Sequence, residues 1–485
     1  MQIKLFNSEP RKIVDFEPLK DGTVRMYSCG PTVYNIAHIG NMRAFLFADL
    51  LQRVLRTVGG YKMQWVMNIT NIDDKTIRNS QPESGSWKPE MGEQTQDPKE
   101  NLRLFTLFYE KEFIDDIAKM GIQAKDFYQM PRATEHIDIM QDLIKLIYQN
   151  GYAYVANGSV YFNVGKWSKD DKYGRLFHID FENFREGVRV DADEYERESA
   201  SDFVLWKGFK EGEPSWNFEL DGESLPGRPG WHLECSAMEH KILGLPFDIH
   251  TGGVDLKFPH HEDEIAQSKA GYGIDPTVVF CHNEFLEIEG EKMSKSAGNF
   301  YTLRDLIEKG IDPIDIRYSM ISAHYRTKLN FTFDGIKAGR KARLRVQEFI
   351  YELLESKFGE DAADIAGLRN NIFTELANDV HTPKALAHLF AFINAQDAKK
   401  FSEQTNKELL ELLQELNGVF AAWVFTDRPA EIDDIPAEIK KLAEERFNAK
   451  SQKNWELADT LRKEIAEKGY SIKDSRDGYD IIKSE

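Results

Sequence analysis

The sequence predicts an α/β fold: a parallel-sheet domain interrupted by an insertion and followed by a mainly α-helical carboxyl half. Three observations carry this. Thr23 to Ser28 reads as a strand, about Asn41 to Val58 as a long helix, and Lys62 to Thr70 as a second strand, which together open a βαβ unit. Strand-like apolar runs return at Phe247-Asp-Ile-His250 and Val278-Val-Phe280, after a long stretch of different character. Beyond about Asp305, apolar residues recur at helical spacing over 334–357, 365–394 and 406–424.

Each element has a local reason. The first helix carries Met42, Phe45, Leu46, Leu50, Val54 and Leu55 on one stripe, and Gly59-Gly60 stops it. The second strand alternates, with Met63, Trp65, Met67 and Ile69 on one face. Residues 81–101 are rich in Pro, Gly, Ser, Glu and Gln and read as an exposed loop. Helical periodicity follows at about 102–119 and 134–150, and 151–225 is strand-and-turn rich, as an insertion would be. Asp427 to Pro436 has the prolines and acids of a linker; a charged helix is expected over about 437–468, then a short tail with Gly478.

Composition sets bounds. At 485 residues the chain is too long for one compact core, so two to four domains are expected. Neither a signal-peptide layout nor an apolar run near the roughly 20 residues of a membrane span is present, so a cytoplasmic location is expected. Three cysteines, Cys29, Cys235 and Cys281, make no disulfide framework; in a reducing compartment they pack or bind metal. A net charge of −19 opposes unselective nucleic-acid binding but leaves room for a basic stripe on one face.

Two motifs point to a nucleotide. Cys29-Gly-Pro-Thr-Val-Tyr-Asn-Ile-Ala-His38-Ile-Gly-Asn41 sets a His-x-Gly-Asn turn between strand and helix, and Lys292-Met-Ser-Lys295-Ser296 is a lysine loop. There is no Gly-x-x-x-x-Gly-Lys-Ser/Thr loop, and a helix amino terminus can hold the phosphates differently, through backbone N–H groups and a partial positive charge. Gly40 lets the backbone approach, His38 and Asn41 supply side-chain donors, and Lys292 and Lys295 bring positive charge to the transferring phosphates. Together, in this order, the motifs resemble those of class I aminoacyl-tRNA synthetases, whose members often have His where Asn41 stands.

A third motif points to a metal. Pro259-His260-His261-Glu262-Asp263-Glu264 opens a predicted helix, where His260 and Glu264, four apart, share a face; His261 with Glu264 is also allowed, and periodicity does not choose between them. Cys235, in Gly230-Trp-His-Leu-Glu-Cys-Ser-Ala-Met238, and Cys29 would complete a mixed S/N/O set of the kind zinc favours.

These segments, with Asn68-Ile-Thr-Asn-Ile-Asp-Asp-Lys75, Asp202-Phe-Val-Leu-Trp-Lys207, Phe258 to Ser268 and Lys292 to Phe300, resemble the cysteinyl-tRNA synthetase family over nearly the whole chain. The resemblance implies that Cys29, Cys235, His260 and Glu264 hold one zinc ion per chain, and so selects His260 over His261. It implies that Thr70, Trp231 and His250 surround the bound amino acid, that Asp255 meets the adenosine, and that Cys281 only packs. It also implies ATP with Mg²⁺, cysteine and tRNA(Cys) as substrates of a monomeric enzyme with no membrane partner.

The family division would give residues 1–125 as the first half of a Rossmann-like catalytic domain, 126–225 as a connective insertion and 226–290 as the second half. Residues 291–345 would be a stem-contact region with the lysine loop, 346–430 a helical anticodon-side bundle and 431–485 a small tRNA-binding domain. There Lys440, Lys441, Arg446, Lys450, Lys453, Arg462 and Lys463 interleave with acids, as in a solvated helix or a tRNA-facing surface with Trp455 for stacking. Two departures stand out: a longer 81–101 connection, and an ending, Asp474 to Asp480, without the Gly-Thr-x-Trp of bacterial members.

Zinc has a chemical rationale. A plain pocket separates cysteine from serine by only about 1–3 kcal/mol, whereas about 10⁴-fold needs roughly 5.5 kcal/mol. A metal that bonds the substrate thiolate supplies the difference, without editing. The competing readings are a cysteine ligase that passes cysteinyl-AMP to a small amine, as mycothiol-pathway relatives do, and a catalytically dead zinc protein that binds nucleic acid. Another class I synthetase, such as the methionine enzyme, would share the nucleotide motifs but not need this ligand set.

Overall fold

The computed structural model describes residues 1–177, 202–292, 299–429, 436–452, 454–474 and 479–483. These fall into two units, Met1–Phe425 and Thr426–Glu485.

The first unit is built on a four-stranded sheet. Strand β1 (Thr23–Ser28) leads through the Cys29 loop into helix α1 (Ile39–Thr57), and β2 (Lys62–Met67) returns beside β1. After the insertion, α2 (Trp231–Ile242), β3 (Phe247–Gly253), α3 (His260–Tyr272) and β4 (Thr277–Asn283) complete the sheet. The order is β4-β3-β1-β2, every pair parallel, with Val279, Ile249, Met26 and Trp65 in one register row. All seven residues of β3 and five of six in β1 are buried, as both-face coverage of a parallel sheet requires. The order reverses between β1 and β3, so their carboxyl ends border a crevice, where ligands of open α/β sheets bind.

The predicted boundaries of β1 and α1 lie within two residues of those observed, and Gly60, in the left-handed region at φ 75°, follows the end of α1. The insertion holds an antiparallel sheet in the order Gly227–Pro229, Phe203–Gly208, Ser159–Phe162, Ala153–Ala156. Other elements differ from their reading. Within 81–101 the chain makes two tight turns and buries Met91, and the next helix already starts at Pro98, with proline in its first turn. The 365–394 stretch is two helices, Ile365–Ala377 and Thr382–Ala395, separated by a kink at Asp379 and Val380.

The second unit also breaks its single predicted helix. Ala437–Ser451 and Trp455–Glu467 are separate, the second capped by the Asn454 side chain accepting from Leu457 N–H at 3.3 Å. Its tail forms a hairpin, Tyr470–Asp474 with Tyr479–Lys483, and Ile439, Ala443, Ile465, Tyr470 and Ile472 make its core.

Candidate active site and metal centre

Helix α1 begins with an unusual cap. His38 Nδ1 accepts from Asn41 N–H at 3.3 Å, and Asn41 Oδ1 accepts from His38 N–H at 3.3 Å, a reciprocal capping box. The two side chains expected to reach a nucleotide are thus turned onto the helix's own amides. Gly40 sits between them in the first turn. The stretch leaving the lysine loop closes on this end: Ile39 N–H donates to Tyr301 O at 3.0 Å, and the His38 and Phe300 rings meet edge-on at 5.0 Å. Lys292 lies on a two-residue strand, paired with Glu287, at the entry to that loop. Lys295 lies outside the described residues.

The four metal-type donors come from three segments. Cys29 follows β1 directly, Cys235 lies in α2, and His260 and Glu264 lie one turn apart in α3. Cys29 is placed by a close passage. Gly30 N–H donates to Asn68 Oδ1 at 2.8 Å, and a Cβ on Gly30 would stand 1.6 Å from the Asn68 carbonyl oxygen. The separations are 3.9 Å for Cys29 Sγ to Cys235 Sγ and 3.5 Å for Cys235 Sγ to His260 Nε2. They are 2.9 Å for His260 Nε2 to Glu264 Oε1 and 3.7 Å for Cys29 Sγ to Glu264 Oε1. Tetrahedral zinc with ordinary bonds to sulfur, nitrogen and oxygen would hold its donors about 3.3–3.8 Å apart, so the set fits with little movement. Cys235, His260 and Glu264 are buried and Cys29 half-buried.

A second, overlapping group is Cys29, His250, His261 and Glu264, also with donor atoms within 4.8 Å of one another. It has one thiol instead of two. His261 Nε2 lies 3.3 Å from Cys29 Sγ, and its Nδ1 is engaged by His282 Nε2 at 2.8 Å. His250 Nε2 sits 2.8 Å from both Glu239 Oε1 and Glu264 Oε2.

The electrostatics bind these groups together. Burial pushes the Cys29 thiol well up, and adjacent Cys235 adds to the shift. For Cys235 the same burial is outweighed by the hydrogen bond with Cys29 and by His260, which bring it down to about 7. Glu264, though buried, is held well below the usual carboxylate range by His250, His260 and His261. Against its own burial, His250 is raised to about 10 by Glu264 and Glu239. Burial keeps His261 itself well below the usual imidazole range, so the positive charge facing Glu264 rests on His250 and His260.

The remaining predicted residues divide. Thr70 is buried, with Oγ1 accepting from Asn68 Nδ2 at 3.0 Å, and its backbone bridges Thr32. Trp231 opens α2 and stacks on His260 at 4.5 Å, so it borders the donor cluster. His250 is also in the cluster, beneath Glu264. Asp255 is exposed on the short turn Val254–Lys257 after β3. Cys281 is buried away from the other thiols, with Sγ 3.8 Å from Phe6 O. Sequence reasoning missed Glu239, His232, His282 and Asn68, which touch the donors or their partners. Polar residues spread around α2 were the available signal for the first two: His232, Glu234, Ser236 and Glu239 fall on no single face, and all four are buried.

This frame, a parallel sheet whose switch point faces a His-Ile-Gly-Asn helix start and a lysine-bearing hairpin, is that of the class I tRNA synthetases. A family profile described as the tRNA synthetases class I (C) catalytic domain matches residues 15–341. The fold is shared with methionyl-tRNA synthetase of Mycobacterium tuberculosis, at TM-score 0.56 and 12% identity over 82% of this chain and 92% of that one. Full-length likeness is narrower. The cysteine–tRNA ligase of Brachyspira hyodysenteriae is 41% identical over 98% of both chains, and that of Solibacter usitatus 40% identical over 99% of both. The cysteine–tRNA ligase of Chlamydia muridarum is 37% identical over the whole of both. The chain belongs to the cysteine–tRNA ligase family.

Proposed function

We propose that this chain joins cysteine to tRNA(Cys) at the expense of ATP, and that Cys29, Cys235, His260 and Glu264 hold one zinc ion that admits cysteine and excludes serine. The observation that carries this reading is the convergence of two thiols, an imidazole and a carboxylate beside the switch point, next to the His38–Asn41 helix start. When bound there, zinc supplies a Lewis acid that prefers a substrate thiolate to a neutral hydroxyl.

The residues would divide the work as follows. Trp231 and Thr70 shape the amino-acid pocket, while His250, clasped by Glu239 and Glu264, braces the carboxylate ligand. The cysteine carboxylate is already the nucleophile, so no general base is needed. It attacks the α-phosphorus of ATP, the bond to the bridging oxygen breaks, and pyrophosphate leaves with its magnesium. Gly40, His38 and Asn41 receive the nucleotide, Asp255 the adenosine, and Lys292 and Lys295 the leaving phosphates. In the cap His38 Nδ1 and Asn41 Oδ1 only accept, so His38 Nε2 and Asn41 Nδ2 would be the atoms that donate to the phosphates. In the second step a ribose hydroxyl of the tRNA 3′ end attacks the cysteinyl carbonyl and AMP departs.

Residues 126–225 would act as the connective insertion and 291–345 as the stem-contact region. Residues 346–430 would form the anticodon-side bundle and 431–485 the small tRNA-binding domain, with Trp455, 58% exposed, as a stacking surface. Among the described residues no helix is long and apolar enough to cross a membrane; a cytoplasmic location and a monomeric state are part of the proposal. The test is charging of a tRNA(Cys) transcript with labelled cysteine, ATP and Mg²⁺, beside serine. Cysteine alone should be attached. Cysteine-dependent pyrophosphate exchange with no charged tRNA would instead favour transfer of cysteinyl-AMP to a small amine.

A further inference from the structure

The kink between Ile365–Ala377 and Thr382–Ala395 is strained and heavily tied down. Asp379 and Val380 are successive non-glycine residues in the left-handed region, at φ 60° and 53°, and both are buried. Left-handed geometry is costly for a β-branched side chain and persists where the surroundings over-determine it. Here they do. The Asp379 carboxylate accepts from Phe6 N–H at 2.9 Å and Tyr325 Oη at 2.5 Å through one oxygen, and from Arg326 Nε at 2.7 Å through the other. Its backbone N–H donates to Lys4 O at 2.9 Å, and its carbonyl lies 3.0 Å from His324 Nε2.

The segment so held leads to both nucleotide motifs. Tyr325 stacks on Phe47 of α1 at 4.3 Å. Arg43, one turn earlier on α1 and 4% exposed, donates to Tyr325 O at 3.4 Å, to Phe285 O at 3.3 Å and to Thr327 O. Arg43 lies two residues past Asn41. Glu284 N–H donates to Tyr325 O at 2.9 Å, and Leu329–Phe331, just beyond, pairs with Leu286–Ile288, whose other edge pairs with the strand bearing Lys292. The helix start and the lysine hairpin thus hang on one short segment.

We propose that Asp379 is a positioning residue for the nucleotide step: from the kink in the helical half it fixes Tyr325–Thr327, and so the spacing between the His38–Asn41 helix start and the Lys292 hairpin. This rests on the cysteine-activation reading above. It touches no substrate, so its effect is on alignment and is distinct from that of the donor cluster.

The test uses the full-length chain as Asp379→Asn, Tyr325→Phe and the double variant. Pyrophosphate exchange is expressed per active site by adenylate burst, with zinc content and thermal midpoint measured alongside. Asp379→Asn should lower kcat per site about tenfold and raise KM for ATP severalfold, with KM for cysteine and zinc content unchanged. Tyr325→Phe, which removes one hydroxyl and spares the fold if Asp379→Asn does not, should move the same two constants by about threefold. The double variant should fall no further than Asp379→Asn, because both act through one bond. Wild-type kcat per site and KM for ATP in Tyr325→Phe and Asp379→Asn, with only a lower thermal midpoint, would overturn the positioning role. Absence of cysteine-dependent exchange in the wild type would overturn the activation reading itself.

Discussion

The donor cluster and the start of α1 both follow the carboxyl end of β1 within one short stretch of chain, yet they are built in opposite ways. The cluster draws one residue each from β1's exit and α2 and two from α3, buries all but half-buried Cys29, and sets Glu264 against His250 and His260. The helix start is assembled within four consecutive residues, with Asn41 exposed and His38 half-exposed, and each side chain accepts from the other's backbone N–H. Selection of a substrate atom needs a rigid, dry site, because an ion's preference is expressed only where its ligands cannot yield. Binding and releasing a nucleotide needs groups that can exchange partners.

If that contrast holds, the largest effect follows removal of a donor. Cys235→Ala should weaken zinc binding by more than about 100-fold, beyond the loss typical of an outer partner, in a chelator competition. Cysteine-dependent exchange should fall to background with it. A variant that keeps zinc and still rejects serine would break the comparison.

Next is the anchorage of α1. Asp49, buried with 0% exposure near the middle of α1, pairs with Arg53 at 2.8 Å and with Arg317 at 2.6 Å. Asp49→Asn leaves buried Arg317 uncompensated and should cost about 3–5 kcal/mol in chemical denaturation. In spite of burial, Arg317 and Arg53 hold the carboxylate below its ordinary value, so the native state binds fewer protons than the unfolded chain. The stabilisation is therefore full above the ordinary carboxylate range and is lost as pH falls below it. The variant should show a flatter acid limb in a pH series of thermal midpoints.

His38→Ala sharpens the contrast from the other side. It should lower kcat for exchange by about 10²-fold, the cost of one transition-state donor, while zinc content and KM for cysteine stay at wild-type values. Smallest is Trp455→Ala in the second unit. Loss of one stacking surface, about 1 kcal/mol, should raise KM for tRNA about fivefold and leave exchange unchanged.

The same contrast explains what the sequence made legible. β1, α1 and the His-Ile-Gly-Asn turn follow from local rules, so their boundaries could be read directly. The donor set could not: residues some 200 positions apart meet only through sheet order, and helical periodicity left His260 and His261 equivalent. Resemblance to a family singled out His260, and the structure brings both histidines to the cluster, His260 against Glu264 and His261 against Cys29. The break at Asp379 had a sequence marker in Pro383, which falls in the first turn of the second helix, but its left-handed backbone did not: no glycine marks it, and a carboxylate bound to Phe6, Tyr325 and Arg326 holds it there. The break before Trp455 was readable from Asn454, a capping residue within a charged run that periodicity alone joined into one helix.

The central claim, that the four donors hold zinc for direct recognition of the substrate sulfur, is tested most directly by X-ray absorption at the zinc edge of the metal-loaded protein. The account predicts two sulfur neighbours for the protein alone, three on addition of cysteine, and still two on addition of serine. A sulfur count that does not change with cysteine, or a zinc bound by fewer than two protein thiols, would contradict it.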